Sequence, residues 1–419
     1  MRLSRRPIST ALRLYALGAR FVLIFFLAIF LVPSDVGLYG LVAATASYAV
    51  YILGLDLYTH TTRDIIRTDP DSWRTKILSH GTALALVAAV VVPLFAILFV
   101  AGVLPWSVVI WFPLITLTEH WGTELDRLLV AMSKQFAASV VIIVRQAALP
   151  TLVIPLFALV PTTRDVSVVF GAWVGLNTVA IILGVLYIFR ATVPQKPFRV
   201  QWSWLGRGVI VAFPFLVGTL CLRVIFTFDR QIVAVLSGLE VLGAYTLAVT
   251  VAGGLNNLIA VGVHQFTYPA LVKSAGQGDE RAFLVSMRSI GAQTLAIVVG
   301  VTAIVTMLYP WIVSWLDEPV YSQYSWAIPI ATAIFGIYNM SLVPHLGLYA
   351  LNADRAILLA TVLATVGFFS TVAILLYAGH DAAVAALSGI GLSSLMLLTV
   401  KYTWYRVVSR RSATWSTPD

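Results

Sequence analysis

Along the whole chain, runs of about 20 to 25 apolar residues alternate with short polar breaks, and a run of that length crosses the hydrocarbon layer of a bilayer as a helix. The pattern predicts twelve spanning helices, near residues 10–32, 37–59, 77–101, 106–130, 136–160, 167–189, 208–228, 241–266, 283–308, 325–348, 356–378 and 383–405. The seventh has the softest end, because the amphipathic stretch Asp229-Arg230-Gln231-Ile232-Val233 offers a continuation toward Gly238. External connections are short. The first is little more than Pro33-Ser34-Asp35, and the longest, Tyr309 to Tyr324, holds about sixteen residues, near the limit for a structureless connection.

Composition narrows the class further. At 60% hydrophobic, 11% charged and a mean hydropathy of +0.93, the chain lies far from soluble proteins, whose charged fraction runs near a quarter. Twelve spans in 419 residues leave almost nothing for a soluble domain, which argues against most enzyme classes. The single cysteine, Cys221, permits no intramolecular disulfide. A net charge of +9 and a pI near 9.7 are accounted for by cytoplasmic Lys and Arg, and nucleic acid is not expected as a partner. Arg2, Arg5 and Arg6 precede the first run, which reads as an uncleaved anchor with the N-terminus inside. That orientation puts Arg63, Arg67, Arg74, Lys76, Arg127, Lys134, Lys273, Arg281, Arg355, Lys401 and Arg406 on the cytoplasmic side, with both termini there.

A polar stretch with Pro194, Lys196, Pro197 and Arg199 parts six spans from six. The expected organisation is a lobe over 1–190, a cytoplasmic linker over 191–206, a second lobe over 207–408 and a tail over 409–419. A short pattern recurs across the divide: Asp35 then Gly37-Leu38-Tyr39 opens helix two, and Glu240 then Gly243-Ala244-Tyr245 opens helix eight, with the glycines 206 positions apart. Two six-helix copies in the same orientation form a parallel repeat.

Ionisable side chains inside the hydrocarbon layer cost about 2.5 to 3.5 kcal/mol on insertion scales, so each needs a partner or a purpose. Arg20, Arg145 and Arg223 fall within predicted spans. Snorkelling or a buried ion pair is the bland account; Arg145 has apolar residues for two turns on its cytoplasmic side and more beyond, which makes snorkelling harder, and it is the best candidate for function. Helix four carries Glu119, His120, Thr123, Glu124, Asp126 and Arg127 in an arc of about 160°, a face that is wet or paired. His120 and Glu124 stand at i, i+4 and Glu124 and Arg127 at i, i+3, spacings that let both pairs touch. The face is read either as a structural pair or as a cavity lining that binds substrate or carries protons. Asp229 and Arg230 are gate candidates at the outer end of helix seven, or a solvated loop.

No phosphate-binding glycine loop, zinc-type His-Glu-x-x-His or Gly-x-Ser-x-Gly elbow occurs, so neither an enzyme nor an ATP-driven pump is expected, nor a metal or cofactor.

The stretch Pro33 to Tyr39, the stretch Thr118-Glu119-His120-Trp121-Gly122-Thr123-Glu124-Leu125-Asp126-Arg127, then Phe228-Asp229-Arg230, and Gly243-Ala244-Tyr245 with Pro269 occur in an order and spacing that resembles a known family. It is that of the polysaccharide and O-antigen flippases in the multidrug/oligosaccharidyl-lipid/polysaccharide exporter superfamily. The resemblance implies an all-α polytopic protein of a bacterial cytoplasmic membrane, with two six-helix lobes and alternating access. Its implied cargo is an undecaprenyl-diphosphate-linked oligosaccharide, such as an O-antigen repeat unit. Membrane lipids, a polysaccharide polymerase and chain-length machinery are the implied partners. A cavity offering Arg20, Arg145 and Arg223 suits a diphosphate. Proton or sodium coupling through helix four stays open, as do a drug or organic-cation antiporter on the same scaffold and a non-transporting membrane scaffold.

Overall fold

The structure, a computed structural model, describes residues 15, 18–19, 22–193 and 199–411. Its regular elements are all helical, with no strand among the described residues. In chain order they are α1 (residues 22–30), α2 (Pro33–Gly54), α3 (Tyr58–Arg67), α4 (Pro70–Val100), α5 (Trp111–Ala131), α6 (Gln135–Leu159) and α7 (Val166–Ala191). There follow α8 (residues 202–237), α9 (residues 239–277), α10 (Glu280–Val313), α11 (Ala327–Ala350), α12 (Asp354–Tyr377) and α13 (Ala382–Arg411).

Nine segments among the described residues are long and apolar enough to cross a membrane. One of them, Trp202–Gln277, holds both α8 and α9, because Gly238 interrupts it at φ 85°, ψ 172°, a conformation that favours glycine. α5 is 21 residues long but stands outside the nine, carrying Glu119, Glu124, Asp126 and Arg127. Large apolar side chains such as Ile97, Val100, Leu159, Ile210 and Met307 are exposed on the outside, as a chain solvated by lipid tails requires. This is a multi-pass membrane protein.

Two boundaries differ from the sequence pattern. The seventh span does not end near 228: α8 runs on to Gly238, since no helix breaker intervenes after Pro214. Asp229 and Arg230 therefore lie inside a helix and not in a solvated loop. The connection from Tyr309 to Tyr324 is also more ordered than expected, as α10 continues to Val313 and Pro319–Gln323 forms a helical turn.

By internal contacts the chain divides into two units. The first holds the described residues up to Leu31 and Leu38–Leu220; the second holds Val32–Gly37 and the described residues from Cys221 onward. In the first unit Ile65, Leu125, Leu129, Val141 and Ala180 join α3, α5, α6 and α7 in one core. A Cβ on Gly184 would sit 3.2 Å from Leu125, so α7 and α5 approach closely there through a small residue. Leu55 and Asp56, both at φ 48°, turn the chain out of α2 into α3.

The second unit has two cores, one around Leu255, Ile259, Phe283 and Ile290, the other around Ile225, Ala364, Phe368 and Ile390. Within it the recurring glycine motif acquires a structural meaning. A Cβ on Gly37 would collide with the Leu239 carbonyl oxygen, and one on Gly243 with the Pro33 carbonyl oxygen. Pro33 and Leu239 are themselves 206 positions apart, so the two helix starts cross backbone to backbone with reciprocal contacts.

Candidate functional site

α5 supplies the charged face that the sequence pattern singles out, and Glu119, His120 and Glu124 on it are all buried. Glu119 Oε2 lies 3.2 Å from Arg145 Nη2, and the Trp173 indole donates to Glu119 Oε1 at 2.7 Å. Arg145 sits in a π turn, Ile143–Ala147, inside α6. Such a turn inserts a residue, re-aims the side chains after it and recurs at functional sites. Gly122 gives the guanidinium its room, since a Cβ there would come 2.5 Å from Arg145 Cδ. Even so, Arg145 Nε and Nη1 are buried without a hydrogen-bond partner. The site holds two spare, well-sheltered donors aimed where an acceptor is missing.

Glu124 is fully engaged. Its Oε1 accepts from Arg127 Nη1 at 2.7 Å, as the i, i+3 spacing allows, and its Oε2 lies 3.0 Å from His80 Nε2. His80 Nδ1 is 3.0 Å from Thr61 Oγ1, which ties α4 and α5 to α3. The Arg127 guanidinium lies over the Tyr58 ring at 3.6 Å from its centroid. His80 thus takes the carboxylate oxygen that the i, i+4 spacing offers to His120. The His120 ring packs under Gly54, where a Cβ would be 3.6 Å from both His120 Cε1 and Glu124 Oε1.

Outside the spans, α3 is fastened by a second set of groups. Asp64 Oδ2 meets Lys76 Nζ at 2.5 Å and accepts from Trp204 Nε1 at 3.0 Å. Burial acts to raise the Asp64 pKa, but the hydrogen bonds and charge of Lys76, with help from Trp204, outweigh it and hold the carboxyl below its ordinary value. The His60 ring, 5.0 Å from that of Trp204, is pushed below its ordinary value by burial.

Of the other residues singled out by sequence, Arg20 lies outside the described residues. Arg145 belongs to the first unit and Arg223, half-buried on α8, to the second. Asp229 is fully buried: Tyr245 donates to its Oδ2 at 3.0 Å, and Arg230 Nη1 stands 3.5 Å from its Oδ1 while donating to the Phe226 carbonyl at 2.9 Å. Among the described residues no group of three or more His, Cys, Asp or Glu could hold a metal ion. Sequence reasoning missed His80, Thr61, Trp173 and Gly122. His80 and Trp173 are single polar tips in apolar helices, 44 and 54 positions from the carboxylates they meet, and no local pattern marks them. It also missed Lys401, which it grouped with the cytoplasmic bases; the side chain is only 1% exposed within the second unit.

In sequence, residues 8–275 match the family described as polysaccharide biosynthesis protein. No curated protein matches the chain. In fold it is similar to a multidrug resistance MATE family transporter of the MOP superfamily in an inward-facing conformation, with a TM-score of 0.75 at 13% identity over 95% of this chain and 96% of that one. A structure of such a transporter in an outward-facing conformation gives a TM-score of 0.65 at 14% identity, over 97% of this chain and 95% of that one. At these identities the likeness is one of fold.

Proposed function

Because the chain belongs to the polysaccharide biosynthesis protein family, we propose that it is a flippase, moving an undecaprenyl-diphosphate-linked oligosaccharide from the cytoplasmic to the external leaflet by alternating access. In this reading it crosses a bacterial cytoplasmic membrane twelve times. Those spans are the nine apolar segments with Trp202–Gln277 counted twice, together with α5 and the helix containing residues 22–30. They form two six-helix lobes, over 1–190 and 207–408, with both termini inside.

Arg145 carries the assignment of the cargo. A buried guanidinium with two unpaired donors suits a phosphate, which accepts charge-assisted hydrogen bonds from a planar fork. Glu119 holds the side chain in place while sharing its own charge with Trp173, and a diphosphate bearing roughly two negative charges competes with it for the guanidinium. Outward passage of each such charge is favoured by about 2.3 kcal/mol per 100 mV with the cytoplasm negative. Glu124 with His80 is the candidate for ion coupling, and Asp229 with Arg230 for gating.

A drug or organic-cation antiporter is the second reading, and the fold shared with MATE transporters favours it. Such a cargo needs a carboxylate that no cation has already neutralised. Glu119 and Glu124 are both matched, by Arg145 and by Arg127. The leaflet distribution of lipid-linked oligosaccharide in cells lacking the protein separates the two. Accumulation on the cytoplasmic leaflet, cleared by the intact chain, supports flipping; an unchanged distribution with altered drug efflux supports the antiporter.

A further inference from the structure

In the second unit α9 and α11 face each other through a ladder of like residues. Asn339 Nδ2 donates to Asn256 Oδ1. Farther along, His264 and His345 each stand four residues before one member of a tyrosine pair whose rings meet across the two helices. One helical turn on, the rings of Tyr349 and Tyr268 are 6.3 Å apart and line a cavity of about 490 Å³ together with Gln277 and Asn352. α13 adds a third base. Tyr405 fills the space beside Gly347, where a Cβ would come 2.8 Å from its ring, and Lys401 stands one turn before it. Lys401 and His264 are the titratable groups that act on His345.

Three basic side chains thus gather on three helices with no carboxylate among them. Lys401 is 1% exposed, and among the described residues it makes no ion pair or hydrogen bond. His264 Nε2 and His345 Nδ1 are buried and unpartnered as well. His264 closes a π turn, Ala260–His264, the same device that carries Arg145 in the first unit. A buried ammonium without a counter-charge is costly in a lipid-solvated bundle, and an anion entering past the two tyrosines would remove that cost.

We propose that Lys401, His345 and His264 form a phosphate-binding subsite reached through the cavity lined by Tyr268 and Tyr349. That its phosphate belongs to the lipid-linked cargo rests on the flippase reading; the subsite itself does not.

The test uses the purified full chain in nanodiscs of neutral lipid, with inorganic pyrophosphate as the calorimetric probe. Binding is expected for the intact chain, weaker by about tenfold or more in Lys401→Met and within about threefold in Lys401→Arg, with intermediate losses in His264→Gln and His345→Gln. Competition by undecaprenyl diphosphate, but not by undecaprenol, places the lipid-borne phosphate at the site. Absence of competition places a soluble phosphate there, and the subsite stands either way. No pyrophosphate binding by the intact chain, or binding within twofold of it in Lys401→Met, overturns the proposal. A chain that binds pyrophosphate through Lys401 yet moves no lipid-linked oligosaccharide keeps the subsite and loses the flippase reading.

Discussion

In the first unit the buried carboxylates Glu119 and Glu124 each meet an arginine, Arg145 and Arg127, whereas in the second unit Lys401 and its two histidines gather with no carboxylate among them. A self-paired cluster is stable while empty and fails when one member is removed. An unpaired cluster gains stability when an anion binds it or when its cation is removed. The two units therefore suit different work: the first holds one guanidinium in a fixed pose with two donors to spare, and the second gathers three buried basic groups that no carboxylate faces.

The largest effect is expected from Glu119→Ala, which strands Arg145 in the bundle at a cost of about 3–5 kcal/mol. Its thermal midpoint in detergent should fall steeply, and the double variant Glu119→Gln with Arg145→Met should recover most of the loss. A small fall in the single variant would mean that Arg145 finds another partner or water. Lys401→Met should move the other way, gaining on the order of 1 kcal/mol or more, since no partner is left behind. If that variant is destabilised instead, the ammonium has a counter-charge and the contrast between the units collapses.

Gly243→Ala comes next, at about 1–3 kcal/mol, because its new methyl group meets the Pro33 carbonyl oxygen and the backbone must move apart. Gly37→Ala should behave alike by reciprocity. Gly262→Ala, with open space around its Cβ position, is the control and should be near neutral. Comparable melting of all three would remove the special status of the crossing.

The smallest effect concerns α3. Asp64 and His60 both have lowered pKa values in the folded chain, so each binds its proton more readily when α3 is released. Docking should be intact above about pH 6.5, loosen first as His60 protonates below that, and loosen again below about pH 4 as Asp64 does. For the partly exposed Asp64–Lys76 pair this amounts to about 1 kcal/mol or less. Hydrogen exchange of the α3 amides reports it, and Asp64→Asn should abolish only the lower step.

Much of the fold is legible in the apolar runs because lipid imposes a minimum apolar length on every span. The exceptions are the places where that rule is silent. The rule gives no end for α8, whose amphipathic last turns continue without a breaker to Gly238. The charged face of α5 shows in its periodicity, and the Glu124–Arg127 contact follows from i, i+3 spacing. The partners His80, Trp173 and Thr61 come from other helices and leave no local trace. Lys401 misled because a lysine near the end of an apolar run ordinarily snorkels to the interface; here neighbouring helices cover it. The glycine repeat was visible as a spacing, but its reciprocal backbone contact needed coordinates.

The most direct test of the central claim is a reconstitution. The purified chain goes into vesicles with a fluorescent undecaprenyl-diphosphate-linked oligosaccharide, and transfer between leaflets is followed with a membrane-impermeant quencher. The expected result is transfer well above protein-free vesicles, reduced about tenfold or more by the Glu119→Gln, Arg145→Met double variant, which removes the spare donors and whose thermal midpoint is checked alongside. Transfer equal to that of protein-free vesicles, or transfer untouched by the double variant, would contradict the account.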